Sequence, residues 1–254
     1  MNIWAIADLH LSFGVPNKSM DLFGDNWLNH AEKIAANWKS RIAPEDLVLV
    51  AGDISWALHL QDAVPDLEWL HALPGTKMMI RGNHDYWWTS LSQVQKVLPS
   101  SIKVIQNNVI PWNDVAVGGA RLWDTEEYSF NSCIEFRENQ RTKKPTEEPR
   151  NPLEDKKEDQ KIFQRELSRL ELSLNCFKNF PGKKRLVMTH YPPIGLDLKD
   201  SQVSRLLEQF GVEICVFGHL HNVRAGEAPF GEKNGVRYLL TACDYLNFVP
   251  TLLK

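Results

Sequence analysis

A chain of 254 residues with 43% hydrophobic and 24% charged side chains has enough apolar material for a sizeable core in one large or two small domains. A net charge of −3 and a pI near 6.2 give no electrostatic footprint of a nucleic-acid or membrane-surface binder. Cys133, Cys176, Cys215 and Cys243 are too dispersed for a zinc–thiolate site, no run reaches membrane-spanning length, and Ile3–Ala7 already reads as a strand where a signal peptide would lie, so a cytoplasmic protein with reduced thiols is expected.

Ile3–Ala7 is apolar throughout, as a strand covered on both faces should be, and runs into Asp8-Leu9-His10. Trp27, Ala31, Ile34, Trp38 and Ile42 recur at helical spacing. Leu47–Ala51 is a second buried strand and ends in Gly52-Asp53. Ala63, Val64, Leu67 and Leu70 give a weaker helical pattern, with Pro65 expected near its first turn. Met78–Ile80 is a third strand, followed by Arg81 and then Gly82-Asn83-His84-Asp85.

Short strands are expected at Ile102–Ile105, Val109–Trp112 and Val115–Val117, with a turn at Asn113-Asp114 and an end at Gly118-Gly119-Ala120-Arg121. Residues 137–160 are mostly charged, include Pro145, Pro149 and Pro152, and read as a solvated excursion or flap. Phe163, Leu167, Leu170, Leu174 and Phe177 alternate steps of four and three, which predicts a helix on the sheet. Leu186–Met188 and Ile214–Phe217 are further buried strands, ending in His190-Tyr191 and Gly218-His219-Leu220-His221, with a helix capped by Asp200 or Ser201 between them. Val236–Ala242 and Phe248–Leu253 read as closing antiparallel strands. Alternating strands and helices predict an α/β fold in one domain over residues 1–254.

The polar residues at the strand ends are Asp8, His10, Asp53, Asn83, His84, His190, His219 and His221, and they include five of the eight histidines. His30, His59 and His71 fall on helical stretches and read as surface or half-buried residues. Any one strand-end residue has a structural explanation, a turn cap or a satisfied core histidine, but five strand ends that each deliver a ligand type point to one site. Oxygen and imidazole donors without thiolates suit manganese, iron, zinc or cobalt. Two such ions would leave a cationic centre that attracts a phosphate dianion and acidifies a bridging water into a nucleophile.

Asp8-x-His10, Gly52-Asp53, Gly82-Asn83-His84-Asp85, His190 and Gly218-His219-x-His221, in this order, resemble the calcineurin-like metallophosphoesterase superfamily over residues 1 to about 222. The resemblance implies a four-layer α/β/β/α sandwich of two mixed sheets. It implies that Asp8, His10 and His221 hold one divalent ion and Asn83, His190 and His219 a second, with Asp53 bridging. His84 becomes the catalytic histidine that holds no metal. Many such phosphatases carry a further acid three residues after the bridging aspartate to orient that histidine. Here the position is Trp56, which argues against a protein phosphatase. Asp8-Leu9-His10-Leu11-Ser12 and Gly52-Asp53-Ile54-Ser55-Trp56 are instead similar to a bacterial branch of phosphohydrolases.

Arg121, just after a glycine pair, is a candidate substrate-phosphate ligand, set against a plain surface arginine. Trp56, Tyr86, Trp87, Trp88, Trp123 and Tyr191 lie near the motifs as stacking candidates, although core packing explains most of them. The expected activity is hydrolysis of phosphomonoesters or phosphodiesters of small molecules. The alternatives are a nuclease, which lacks a basic track here, and a non-catalytic scaffold, which would usually have lost ligands.

Overall fold

The computed structural model describes residues 1–135, 152–224 and 230–254. Its elements in chain order begin with β1 (Ile3–Ile6), α1 (His30–Lys39), β2 (Leu47–Val50), α2 (Leu60–His71), β3 (Thr76–Met79), α3 (Leu91–Val97) and β4 (Ile102–Val104). There follow β5 (Ile110–Trp112), β6 (Val115–Ala120), α4 (Pro152–Asn175), β7 (Lys184–Thr189), α5 (Gln202–Gln209), β8 (Ile214–Phe217), β9 (Glu232–Lys233), β10 (Val236–Leu240) and β11 (Thr251–Leu252). Two sheets form, in the orders β11-β1-β2-β3-β4 and β5-β6-β7-β8-β10-β9. Each is parallel in its centre and carries antiparallel strands only at edges.

Side-chain alternation stacks the layers. Along β1, Ile3 and Ala5 face the second sheet, where they join Leu47, Leu49, Met78, Val117, Leu186, Met188 and Val216 in a core between the sheets. Trp4 and Ile6 face the other way and pack with Ile34, Trp38, Leu67 and Leu70 of the helices outside the first sheet. Val187, Cys215 and Phe217 meet Leu170, Leu174, Val203 and Leu207 outside the second. Three apolar layers between four structural ones make the α/β/β/α sandwich, and the strands read as continuous apolar runs because both their faces are covered.

Several sequence expectations shift. Pro65 lies in the second turn of α2, not the first, where its ring removes the amide that would bond the Gln61 carbonyl. The helix α3 was not anticipated, although Ser90 caps it by accepting from the Gln93 amide. β6 runs through Gly118 and Gly119 rather than ending before them. Of the expected excursion, residues 137–151 lie outside the described residues. The remainder is corrected to the start of α4, exposed over residues 156–160, where Pro152 takes the first helical position and its missing N–H is harmless. β10 is parallel to β8 and antiparallel only to β9, and of Phe248–Leu253 only Thr251–Leu252 forms strand, antiparallel to β1 as expected. His30 is buried, with its ring against the Leu9 carbonyl at 3.1 Å. No helix among the described residues is long and apolar enough to cross a membrane, and the four cysteines are free thiols.

Candidate metal centre

Asp8 and His10 leave the end of β1, Asp53 that of β2, Asn83 that of β3, His190 that of β7, and His219 and His221 that of β8. Parallel strands put these ends at one edge of each sheet. The edges are sewn together where Ala7 pairs with Ala242, directly before Asp8. The motif glycines are steric requirements. A Cβ at Gly82 would collide with the Asp53 carboxylate and amide, and one at Gly218 with the Asp8 carboxylate. Asp8, His10, Asp53 and His219 all hold left-handed backbone conformations, with φ of 58°, 46°, 53° and 72°. Such residues cost of order 1 kcal/mol each, and outliers of this kind cluster at functional sites.

The donor atoms converge closely. His10 Nε2 lies 3.2 Å from His221 Nε2, and His221 Nε2 lies 3.9 Å from Asp8 Oδ1. Asn83 Oδ1 faces His190 Nε2 at 2.6 Å and His219 Nδ1 at 3.0 Å. Asp53 Oδ2 sits between the two groups, 3.7 Å from His10 Nε2 and 3.5 Å from His190 Nε2. Two triads, Asp8–His10–His221 and Asp8–Asp53–His190, each place one ligand atom per residue within 4.8 Å of the others.

Burial sets the electrostatics. It raises the Asp8 carboxyl well above its usual range, an effect eased by His221 and reinforced by Asp53, and it raises Asp53 as well, eased by His84. Burial also holds His10 and His219 well below the ordinary imidazole value and takes His190 down to about 3, so these three are free bases with lone pairs to give. No lysine or arginine side chain pairs with Asp8 or Asp53 among the described residues. Two buried carboxylates, three free-base imidazoles and His221, with no lysine or arginine paired to the carboxylates among the described residues, form a donor set that fits divalent cations. Cys243 does not join it. Its S–H donates to the Asp8 carbonyl at 2.9 Å, and burial together with Asp244 keeps it a thiol.

Supporting residues emerge that the sequence reading passed over. Asp244, just past β10, accepts from His221 Nδ1 at 2.9 Å and from the Asn222 amide at 3.0 Å. Burial would lower His221, but Asp244, followed by Asp8 and Asp53, carries it up to about 9, so an incoming cation displaces a proton there. Asp85 accepts from the amides of Gly82, Ile54 and Ser55 and from Trp87 Nε1, tying two ligand loops together. His190 Nδ1 meets the Ala51 carbonyl at 3.0 Å, which fixes Nε2 as the inward atom.

His84 donates its backbone amide to Asp53 Oδ1 at 2.8 Å, and its ring lies 4.6 Å from that of Trp56. No hydrogen bond reaches the His84 ring from the described residues. Trp56, which also stacks on His10 at 4.9 Å, bounds it by packing instead. Arg121 lends its carbonyl to the His190 and Tyr191 amides, while its guanidinium lies 4.6 Å over Trp123 and 3.2 Å from Glu166. Trp87 and Trp88 are core residues and Tyr86 is exposed. Tyr191 is buried with its ring 4.0 Å from that of His219, beside a cavity of about 310 Å³ lined also by Trp123, Tyr128 and Phe130.

Carboxylates, imidazoles and an amide gathered at the shared edge of two stacked sheets form a framework that could hold divalent metal ions. The chain belongs to the calcineurin-like phosphoesterase family, whose model matches residues 1–223. It is similar to the Gene 66 protein of Mycobacterium phage D29, with 33% identity over 84 residues, which is 33% of this chain and 40% of that protein. The Gene 66 protein of Mycobacterium phage L5 is 31% identical over 86 residues, with the same two shares. The match thus spans about 40% of the length of these curated relatives. Among solved structures, a protein of unknown function, AQ665 from Aquifex aeolicus, aligns over 99% of this chain and 95% of its own, with 15% identity and a TM-score of 0.47. The phosphopantetheinyl hydrolase PptH from Mycobacterium tuberculosis aligns over 95% and 88%, with 16% identity and a TM-score of 0.48. The family implies divalent metal ions, and the Asp/His groups described above could bind them.

Proposed function

We propose that the protein hydrolyses phosphomonoesters or phosphodiesters of small molecules at a dinuclear centre, in the reducing cytoplasm that its free thiols suit. The observation that carries this reading is the position of Asp53 Oδ2, 3.7 Å from His10 Nε2 and 3.5 Å from His190 Nε2, between the two ligand groups. Asp8, His10 and His221 would hold one ion, Asn83, His190 and His219 the other, and Asp53 would serve both. When bound, a pair of divalent ions such as manganese, iron, zinc or cobalt supplies Lewis acidity and a water acidified toward neutral pH, the chemistry that phosphoester hydrolysis needs.

The protein's own groups do the rest. Asp244 and the Ala51 carbonyl hold His221 and His190 in the tautomers that turn Nε2 inward. Burial, eased by Asp53, lowers His84, so near neutral pH its imidazole is a free base that still offers one N–H to charge developing on the leaving oxygen. Trp56 positions that ring by contact where a carboxylate would do so by hydrogen bonding. Proton delivery is then weaker, and esters with good leaving groups are favoured. The cavity beside His219 and Tyr191 offers room for part of the substrate beyond the reacting phosphoryl group.

The test is p-nitrophenyl phosphate and its bis-ester offered to protein reconstituted with manganese. Hydrolysis of at least one, abolished by chelation, is expected. A protein that holds stoichiometric metal yet leaves both intact would overturn the reading.

A further inference from the structure

One strand further along the same edge, past β3 and β4 of the first sheet and β6 of the second, lies a cavity of about 90 Å³. Arg81, Arg121 and Arg169 line it, with a single acid, Glu166. Glu166 is 1% exposed, and its Oε1 takes Arg169 at 2.6 Å and Arg121 at 3.2 Å, with Arg165 at 3.6 Å from outside the cavity. The Arg81 guanidinium donates from Nε to the Asp85 carbonyl at 3.2 Å, and its two terminal nitrogens have no partner among the described residues.

Three guanidinium groups and one carboxylate line the cavity, with Asp85 as the next acid near Arg81, so the lining is net cationic, from Arg121 at 13% exposure to Arg169 at 44%. A structural cross-link between α4 and the end of β6 would need only one arginine for Glu166. Gathering more in a half-buried space is costly unless an anion shares it. The fork of a guanidinium matches the oxygens of a tetrahedral oxyanion, and the cavity, about 90 Å³, has room for such a group. Arg81 directly precedes the loop that carries Asn83 and His84, and Arg121 holds the amide of His190 through its carbonyl, so the cavity adjoins the metal centre on two sides.

We infer that Arg81, Arg121 and Arg169 form a subsite for a second phosphate group on the substrate, apart from the phosphoryl group that is cleaved. This rests on the phosphoesterase reading for its purpose but not for its binding chemistry. The first test is calorimetric titration of inorganic phosphate into the full chain stripped of metal by chelation, at low salt. One phosphate per chain is expected, with affinity lowered about tenfold or more in Arg169→Gln, lowered less in Arg169→Lys, which keeps the charge but not the fork, and lowered again in Arg81→Gln. His219→Ala, in the metal centre, should leave this binding in place. Absence of phosphate binding at millimolar concentration, or equal binding in the Gln variants, would overturn the subsite.

The second test separates a phosphate carried by the substrate from free phosphate. The manganese-loaded protein is given a sugar bisphosphate and its monophosphate. A higher kcat/KM for the bisphosphate, lost in Arg169→Gln, is expected. Equal kcat/KM for both would overturn the assignment to substrate. Phosphate binding through these arginines in a protein that cleaves no ester would sink the phosphoesterase reading alone, whereas cleavage without such binding would sink the subsite alone.

Discussion

The ligand cluster and the arginine cavity lie side by side on one edge of the molecule and are incomplete in opposite senses. In the first, Asp8 and Asp53 are buried at 0% and 1% exposure, met by the backbone amides of His219 and His84 and by imidazoles, with no lysine or arginine paired to them among the described residues. In the second, Arg81, Arg121 and Arg169 crowd one buried glutamate. Elsewhere a buried ionisable group is met by hydrogen bonds from the fold itself. Lys77, for example, is fully buried yet donates to the carbonyls of Leu73 and His71 near the end of α2. Where burial leaves charge unbalanced, the missing partner comes from solution, and the sign of the imbalance names it: cations for the first region, an anion for the second.

The largest expected effect tests the first imbalance. Asp53→Asn removes the group shared between the two ligand sets, so bound metal, read by elemental analysis, should fall below two ions per chain and turnover should drop to background. Full metal content with full activity would break the comparison. His84→Ala should be milder in metal and severe in rate, with both ions retained and kcat down by about 10²–10⁴-fold, the usual contribution of a positioned proton donor. Asp244→Asn, which unties His221, should weaken metal binding by about 10–100-fold while leaving the fold intact by circular dichroism.

The smallest effect lies beneath the centre, in a buried acid with polar partners of its own. Asp66 accepts from the Phe13 amide and the Ser55 hydroxyl, yet burial pushes its carboxyl up to about 6. A carboxyl raised on folding binds more protons folded than unfolded between its ordinary value and about 6, so its contribution to stability is fullest at low pH and is lost as pH rises through that window. Asp66→Asn should flatten the stability–pH curve between about pH 4 and 6, a change of up to ~2–3 kcal/mol at about 1.4 kcal/mol per unit. An unchanged slope in urea melts of metal-free protein would show that the Asp66 carboxyl is not raised.

The central strands were legible because each is a short apolar run covered on both faces and cut off by a polar residue, a local signal that needs no partner to be seen. That signal also exposed Asp8, Asp53, Asn83 and the histidines. Asp244 follows the same rule at the end of β10 and was missed for a topological reason. Read as antiparallel, Val236–Ala242 would send its end to the far edge, and only its pairing with β8, across a long connection, reverses this. The start of α4 was obscured by charge, because a helix with one solvated turn after another has no apolar stripe to show. Arg121 stood out as a residue, but its company of Arg81, Glu166 and Arg169 is assembled from three separate segments and carries no linear motif. The role of Trp56 likewise needed the ring positions, since an aromatic in place of an acid looks in sequence only like a loss.

The most direct measurement is anomalous diffraction at the manganese edge from crystals of the full chain soaked in manganese. Two peaks per chain, about 3.5–4 Å apart, are expected, one among Asp8, His10 and His221 and the other among Asn83, His190 and His219, with Asp53 touching both. Peaks that lie away from Asp53, or none at this edge of the sheets, would contradict a metal-centred phosphoesterase.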